Sequence, residues 1–179
     1  MNLDKLFEVQ RGLDAEIAKN HPRLPDEDRL EKRILALLVE LGELANEWRG
    51  FKFWSTDQES RIWTYRSVLL EDGPGVEFYN PLLEEYVDCI HFALSIGLQL
   101  NIPQMLDWGP YRKETITEQF IDLMQADWST YYTNVYHGYC RNMELLIGLG
   151  AMLGFDWEQI EKAYLNKNEI NYQRQNTGY

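Results

Sequence analysis

Two segments constrain this chain more than any other feature. Residues 34–45 read Ile-Leu-Ala-Leu-Leu-Val-Glu-Leu-Gly-Glu-Leu-Ala, an apolar run interrupted only by Glu40, Gly42 and Glu43. Residues 82–94, Leu-Leu-Glu-Glu-Tyr-Val-Asp-Cys-Ile-His-Phe-Ala-Leu, repeat the arrangement with Glu85 and Asp88 three apart. At 100° per residue, side chains three apart share a helix face, so each segment offers a pair of carboxylates on one side. Leu37 and Leu44 flank the first pair on one edge and Val39 on the other. That places Glu40 and Glu43 at least partly inside a helical assembly. Glu47 shares their face. Glu84, beside Glu85, reads as a solvated neighbour.

Two such helices side by side aim four carboxylates at one space. Two carboxylates about 5 Å apart repel by about 3 kcal/mol at an effective dielectric of ~20. A hard divalent cation removes that penalty, and an all-oxygen donor set suits Mg²⁺, with Mn²⁺ as the alternative. One such pair alone is common on a solvated helix face. Two pairs embedded in apolar segments are not, and they point to a metal site.

The rest of the chain reads as helices. Residues 3–19 carry Leu3, Leu6, Phe7, Leu13 and Ile17 at helical spacing, and His21-Pro22 ends the run. Asp26 is the expected N-cap of a second helix reaching Trp48. Residues 49–57 form an aromatic loop around Phe51-Lys52-Phe53-Trp54. Residues 62–70 are read as a short helix, followed by a turn at Asp72-Gly73-Pro74-Gly75. Asn80-Pro81 opens a third long helix that stops near Leu100, before Pro103. After loop-like residues 104–113, Thr115-x-x-Glu118 reads as a capping box that opens a helix to about Asp127. Further helices are expected over residues 131–153, with Gly154 just past the end, and from Asp156-x-x-Gln159 to Gln175. With no strand pattern and no repeat, the expected class is all-α: one domain over residues 1–179, a bundle of five or six helices whose central antiparallel pair carries the metal site.

Composition narrows the function. Of the 179 residues 45% are hydrophobic and 26% charged, the mix of a globular protein. No apolar run approaches the ~20 residues that span a bilayer. A net charge of −12 argues against nucleic-acid polymer, which is held by basic surfaces. Cys89 and Cys140 are expected as reduced thiols, and the three histidines lack zinc spacing. The opening residues show no secretion signal, so the cytoplasm is the expected location.

At this point the sequence resembles the all-α nucleoside triphosphate pyrophosphatases, the MazG-related superfamily, and within it the dimeric dUTPases. The residues that carry the resemblance are Glu40-x-x-Glu43 and Glu85-x-x-Asp88 and four further blocks. These are the opening Leu6-Phe7-Glu8-Val9-Gln10-Arg11-Gly12-Leu13-Asp14, the loop Phe51-Lys52-Phe53-Trp54-Ser55, the run from Leu83 to Ser95, and the tail from Tyr164 to Gln175 with Gly178-Tyr179. The tail holds a Lys167-x3-Asn171-x2-Arg174 pattern. Residues 57–79 look inserted between the two acidic motifs, and Asp14 stands where relatives place Asn. The resemblance implies Mg²⁺ held by Glu40, Glu43, Glu85 and Asp88, a homodimer, and hydrolysis of dUTP, and of dUDP, to dUMP.

Cleavage between the α and β phosphates needs an aligned water, a base and a held leaving group. Glu40 is the expected base, with Glu43 bridging metal ions. Lys167 and Arg174, seven apart on one helix face with Asn171 between, read as a clamp on the phosphates, and Lys52 as added charge. Uracil offers two acceptors around one N–H. Gln10 carries an acceptor and a donor on one amide, and Asp14 follows one turn on. Trp54 is expected to stack on the base, with His91 and Phe92 walling the sugar.

Three other readings compete. One is a broader nucleoside triphosphate pyrophosphatase, separated by the Gln10 and Asp14 region. The second is a di-iron carboxylate bundle, disfavoured because Asp88-x-x-His91 has no second copy. The third is a non-catalytic helical interaction protein, separated by metal titration.

Overall fold

The protein is described here by a computed structural model covering residues 3–70, 73–102, 108–129 and 134–177. These residues form six helices: α1 (Leu3–Asn20), α2 (Arg29–Trp48), α3 (Pro81–Gln99), α4 (Ile116–Gln125), α5 (Val135–Met152) and α6 (Trp157–Thr177). A two-stranded hairpin, β1 (Thr64–Leu70) and β2 (Gly73–Tyr79), stands between α2 and α3. The fold is an all-α bundle with this one small sheet. Asp72 of the expected turn, Pro103, residues 104–107 of the loop, residues 131–133 of the expected fifth helix and the closing Gly178-Tyr179 lie outside the described residues.

α3 is the centre, and its sequence explains why. It is apolar nearly all round, so it must be covered on every side. It lies against α1, α2, α5 and α6. Tyr86, Val87, Ile90, Ala93, Leu94 and Ile96 are all buried. Gly150 on α5 marks a close crossing, because a Cβ there would overlap the Tyr86 ring. The Tyr86 hydroxyl donates to the Leu146 carbonyl at 3.1 Å.

α2 runs antiparallel to α3. Near its start, Arg33 reaches Ser95 and Gln99 at the far end of α3. Near its end, Glu47 binds Arg61, whose carbonyl accepts from the Leu82 N–H at the start of α3. Leu30, Leu37, Leu41 and Leu44 are the buried stripe of α2. Val39, expected to border the acidic face from within, is 49% exposed. The acidic face is therefore covered on one edge only: Glu40 is half-buried and Glu43 exposed.

Most caps fall where the sequence places them. Asn80 accepts from the Leu83 N–H, Thr115 and Glu118 close a capping box, and Asp156 and Gln159 exchange side-chain and backbone bonds at the start of α6. The N-cap of α2 is a correction. It is Asp28, not Asp26, because the extended backbone at Asp28 aims its carboxylate at the N–H groups of Leu30 and Glu31, at 2.8 and 3.2 Å.

The hairpin is the larger correction. Residues 64–70 form a strand, not a helix. Its partner supplies the reason: Tyr65 pairs with Phe78, Arg66 with Glu77 and Ser67 with Val76. The Arg66 Nε donates to Glu77 at 2.8 Å, and the Trp63 and Phe78 rings stack at 5.0 Å. Cross-strand pairs of this kind stabilise a ladder that the sequence of one strand cannot reveal. Gly73 takes the positive φ of 118° at the start of β2, where a side chain would be strained.

Candidate active site

A cleft of about 530 Å³ lies between α1, α2, α3 and α6. Its walls include Gln10 and Asp14 from α1, Arg33 and Glu40 from α2, Asp88, His91, Phe92 and Ser95 from α3, and Lys167, Asn171 and Arg174 from α6. Nine of the thirteen residues singled out in the sequence therefore meet in one space.

One end is carboxylate. Oxygens of Glu40, Glu43 and Glu85 lie within 4.8 Å of one another. Glu40 belongs both to this cluster and to the cleft wall. Burial, with Asp88 and Glu43 close by, pushes the Glu40 carboxyl up to about 7. Burial also raises Glu85 to about 7, with Asp88, Glu40 and Glu43 adding to it. The charge of Lys167 pulls both down and does not offset this. Their all-oxygen donor set fits a hard divalent cation.

Asp88 adjoins the cluster, and burial raises it too, against the pull of Lys167. The Lys167 ammonium donates to Asp88 Oδ2 at 2.6 Å and to Glu84 Oε1 at 3.0 Å. Its side chain is only 11% exposed. Burial opposes the Lys167 charge, but Asp88 and Glu84 outweigh it and hold the ammonium above its usual range. Glu84 is no solvated neighbour. Both its oxygens accept from Arg66 of β1 at 3.2 Å. Burial raises its carboxyl, yet Lys167 and Arg66 together hold it below the ordinary value. A chain of charges thus runs from the hairpin through Glu84 and Lys167 to Asp88.

The other end is a hydrogen-bonded lattice. The Gln10 amide nitrogen donates to Asp14 Oδ1 at 2.8 Å. Gln10 Oε1 accepts from the Tyr164 hydroxyl at 2.6 Å and lies 2.8 Å from His91 Nδ1. The His91 ring stacks on Tyr164, with centroids 4.0 Å apart. Burial, aided by the charge of Lys167, pushes His91 down to about 3, so it is neutral. Its Nε2 is buried with no hydrogen-bond partner among the described residues. Ser95 donates to Asp14 Oδ2 at 2.6 Å and accepts from Arg33 at 2.7 Å. Gln10 and Asp14, expected to meet the base, are bonded to each other and to neighbours from three other helices.

Trp54 and Lys52 lie outside this cleft. Trp54 is 65% exposed, edge-on to Phe51 and Phe53. The Lys52 ammonium sits 5.6 Å over the Phe51 ring. Their loop is tied down by Arg49, which donates to the Asp57 carbonyl and pairs with its carboxylate.

Among the residues that sequence reasoning does not single out are Arg33 and Ser95, which line the cleft, and Tyr164, which bonds to Gln10. A signal for the first two exists. Arg33 lies seven residues before Glu40, and Ser95 seven after Asp88, so each shares a helix face with an acidic motif. Tyr164 lies three before Lys167 on α6, within the same stripe.

A family model described as dUTPase matches residues 2–70 and 77–179. A comparison with curated proteins gives no match.

Proposed function

This chain belongs to the all-α dUTPase family and is a dUTP diphosphatase; from that premise we propose that it is Mg²⁺-dependent, with Glu40, Glu43, Glu85 and Asp88 as the ligands, and that it accepts dUDP as well as dUTP. Mn²⁺ is the alternative ion. The observation that carries this reading is the convergence of Glu40, Glu43 and Glu85 at the edge of a cleft whose other walls are cationic and hydrogen-bonding. The chemistry supplied by a bound divalent ion is Lewis acidity, which acidifies water and offsets phosphate charge.

The chain's own residues do the rest. Glu40, at the boundary of cluster and cleft, takes the proton of the attacking water. The water oxygen bonds to the α-phosphorus as the bond from that phosphorus to the bridging oxygen breaks. Lys167 and Arg174 hold the departing pyrophosphate, with Asn171 between them on α6. Phosphate competes for Lys167 with Asp88 and Glu84, its partners in the free protein. Gln10, Asp14, His91 and Phe92 form the nucleoside wall. The products from dUTP are dUMP and pyrophosphate, and the working unit is a homodimer.

Pyrophosphate release against a panel of deoxy- and ribonucleoside triphosphates, with and without Mg²⁺, tests the reading. Among these triphosphates, turnover of dUTP alone, and only with the ion, is expected. Equal turnover without divalent ions, or no preference for dUTP, overturns it. Sedimentation should give twice the 21.2 kDa chain mass; a monomer at working concentration removes the dimer.

A further inference from the structure

The bonding around Gln10 determines which nitrogen of His91 carries hydrogen. The Asp14 carboxylate can only accept, so the Gln10 group 2.8 Å from it is the amide nitrogen. The amide oxygen therefore faces Tyr164 and His91. Being an acceptor, it requires a donor at His91 Nδ1. A neutral imidazole has one N–H, which leaves Nε2 as a bare lone pair. The residue is 5% exposed and lines the cleft, the ring is fixed by its stack on Tyr164, and Nε2 has no partner among the described residues.

We infer that His91 is a tautomer-locked hydrogen-bond acceptor for the nucleoside, with Gln10 and Tyr164 as the positioning residues that lock it. The inference rests on the dUTP reading above. Burial keeps the ring neutral at working pH, so it never becomes a donor on this nitrogen. Its partner must bring a hydrogen. On the nucleoside of dUTP, whose 5′ oxygen is esterified, two groups do so, the N3–H of the base and the 3′ hydroxyl of the sugar. Cytosine carries no N3–H, so the first of these makes His91 a filter against dCTP.

The test is long-range ¹H–¹⁵N correlation of the imidazoles in the full chain, free and with Mg²⁺ and α,β-imido-dUTP. In the free protein His91 should show a protonated Nδ1 and a bare Nε2; the opposite tautomer overturns the inference. On binding, Nε2 should move toward the hydrogen-bonded range. If cleft resonances shift and Nε2 does not, the acceptor role is wrong. If the analogue does not bind at all, the dUTP reading itself fails, while the tautomer result still stands by itself. The N3-methyl and 3′-deoxy analogues name the donor, since only one should abolish the Nε2 shift. That analogue should bind the native chain roughly tenfold more weakly, and His91→Phe with less than about a twofold further loss. Equal losses in both proteins would show that the contact is made elsewhere. Tyr164→Phe keeps the stack and removes one donor to Gln10. It should broaden or split the His91 tautomer signal, a change that a purely space-filling tyrosine would not cause.

Discussion

Glu40 is the residue on which stability and activity pull apart. Its carboxyl is half-buried, and burial with the charges of Asp88 and Glu43 disfavours its ionised form, against the pull of Lys167 and a hydrogen bond with Glu85. Glu40→Gln keeps the shape and removes one charge. Turnover should fall by about 10²–10⁴, the usual contribution of a positioned base. The metal-free protein should melt higher, by about 2–4 °C for each kcal/mol of repulsion relieved. Calorimetry and pyrophosphate release on the same sample check both signs; a lower melting point would mean that the carboxylate is stabilised by contacts outside the cluster. Individual side chains are legible in a sequence in proportion to how chemically distinctive they are. Packing does not call for paired acids in an apolar run, so Glu40, Glu43, Glu85 and Asp88 stand out. Tyr164 does not, because a buried tyrosine in a helix stripe reads as packing until its hydroxyl is seen 2.6 Å from Gln10. Trp54 shows the opposite: an aromatic loop next to an acidic motif suggests stacking on a base, while the position of Trp54 outside the cleft, on a loop tied down by Arg49 and Asp57, leaves no sign in the sequence.

At the scale of elements, periodicity locates the helices and misses the hairpin. Each helix is specified by its own residues and caps. A strand such as Thr64–Leu70 is specified by Gly73–Tyr79 across from it, and in isolation Ile62 to Leu70 satisfies a helical count as well. The two faces of α2 are separable by experiment. Leu41→Ala, fully buried, should cost about 2–5 kcal/mol in denaturant unfolding. Leu35→Ala, 64% exposed on the same helix, should stay within about 0.5 kcal/mol. Comparable losses would mean that the outer face of α2 is covered. The joint between α3 and α6 gives a further prediction. Lys167→Ala leaves Asp88 and Glu84 without their ammonium. In metal-free buffer it should lose roughly 1.5–3 kcal/mol, the scale of hydrogen bonds to charged groups. Mg²⁺ should restore part of that loss while affinity for α,β-imido-dUTP remains reduced. Unchanged affinity would remove Lys167 from the phosphate clamp.

At the scale of the molecule, a chain of net charge −12 takes a polyanion as its substrate. Lysine and arginine along the cleft do not reverse that balance, and the divalent ions of the proposed function would lower the field before the phosphates enter. The same ions should change how stability depends on pH. Glu40 and Glu85 titrate at about 7 in the folded chain, above the ordinary glutamate value of 4.5. Between those values the folded state binds more protons than the unfolded one, so metal-free stability falls as pH rises through that window and levels off above about 7. Both groups are partly exposed, which screens and shrinks the effect. A divalent ion needs the deprotonated carboxylates, and its binding expels the protons that the folded chain would otherwise keep. The rise in melting temperature on adding Mg²⁺ should therefore be small at pH 6 and larger at pH 8. Thermal scans at the two pH values, with Mg²⁺ or with chelator, read this directly. A gain that is equal at both, or greater at pH 6, would place the ion on groups other than this pair. Glu40→Gln should flatten the pH dependence, because one of the two expelled protons is then gone.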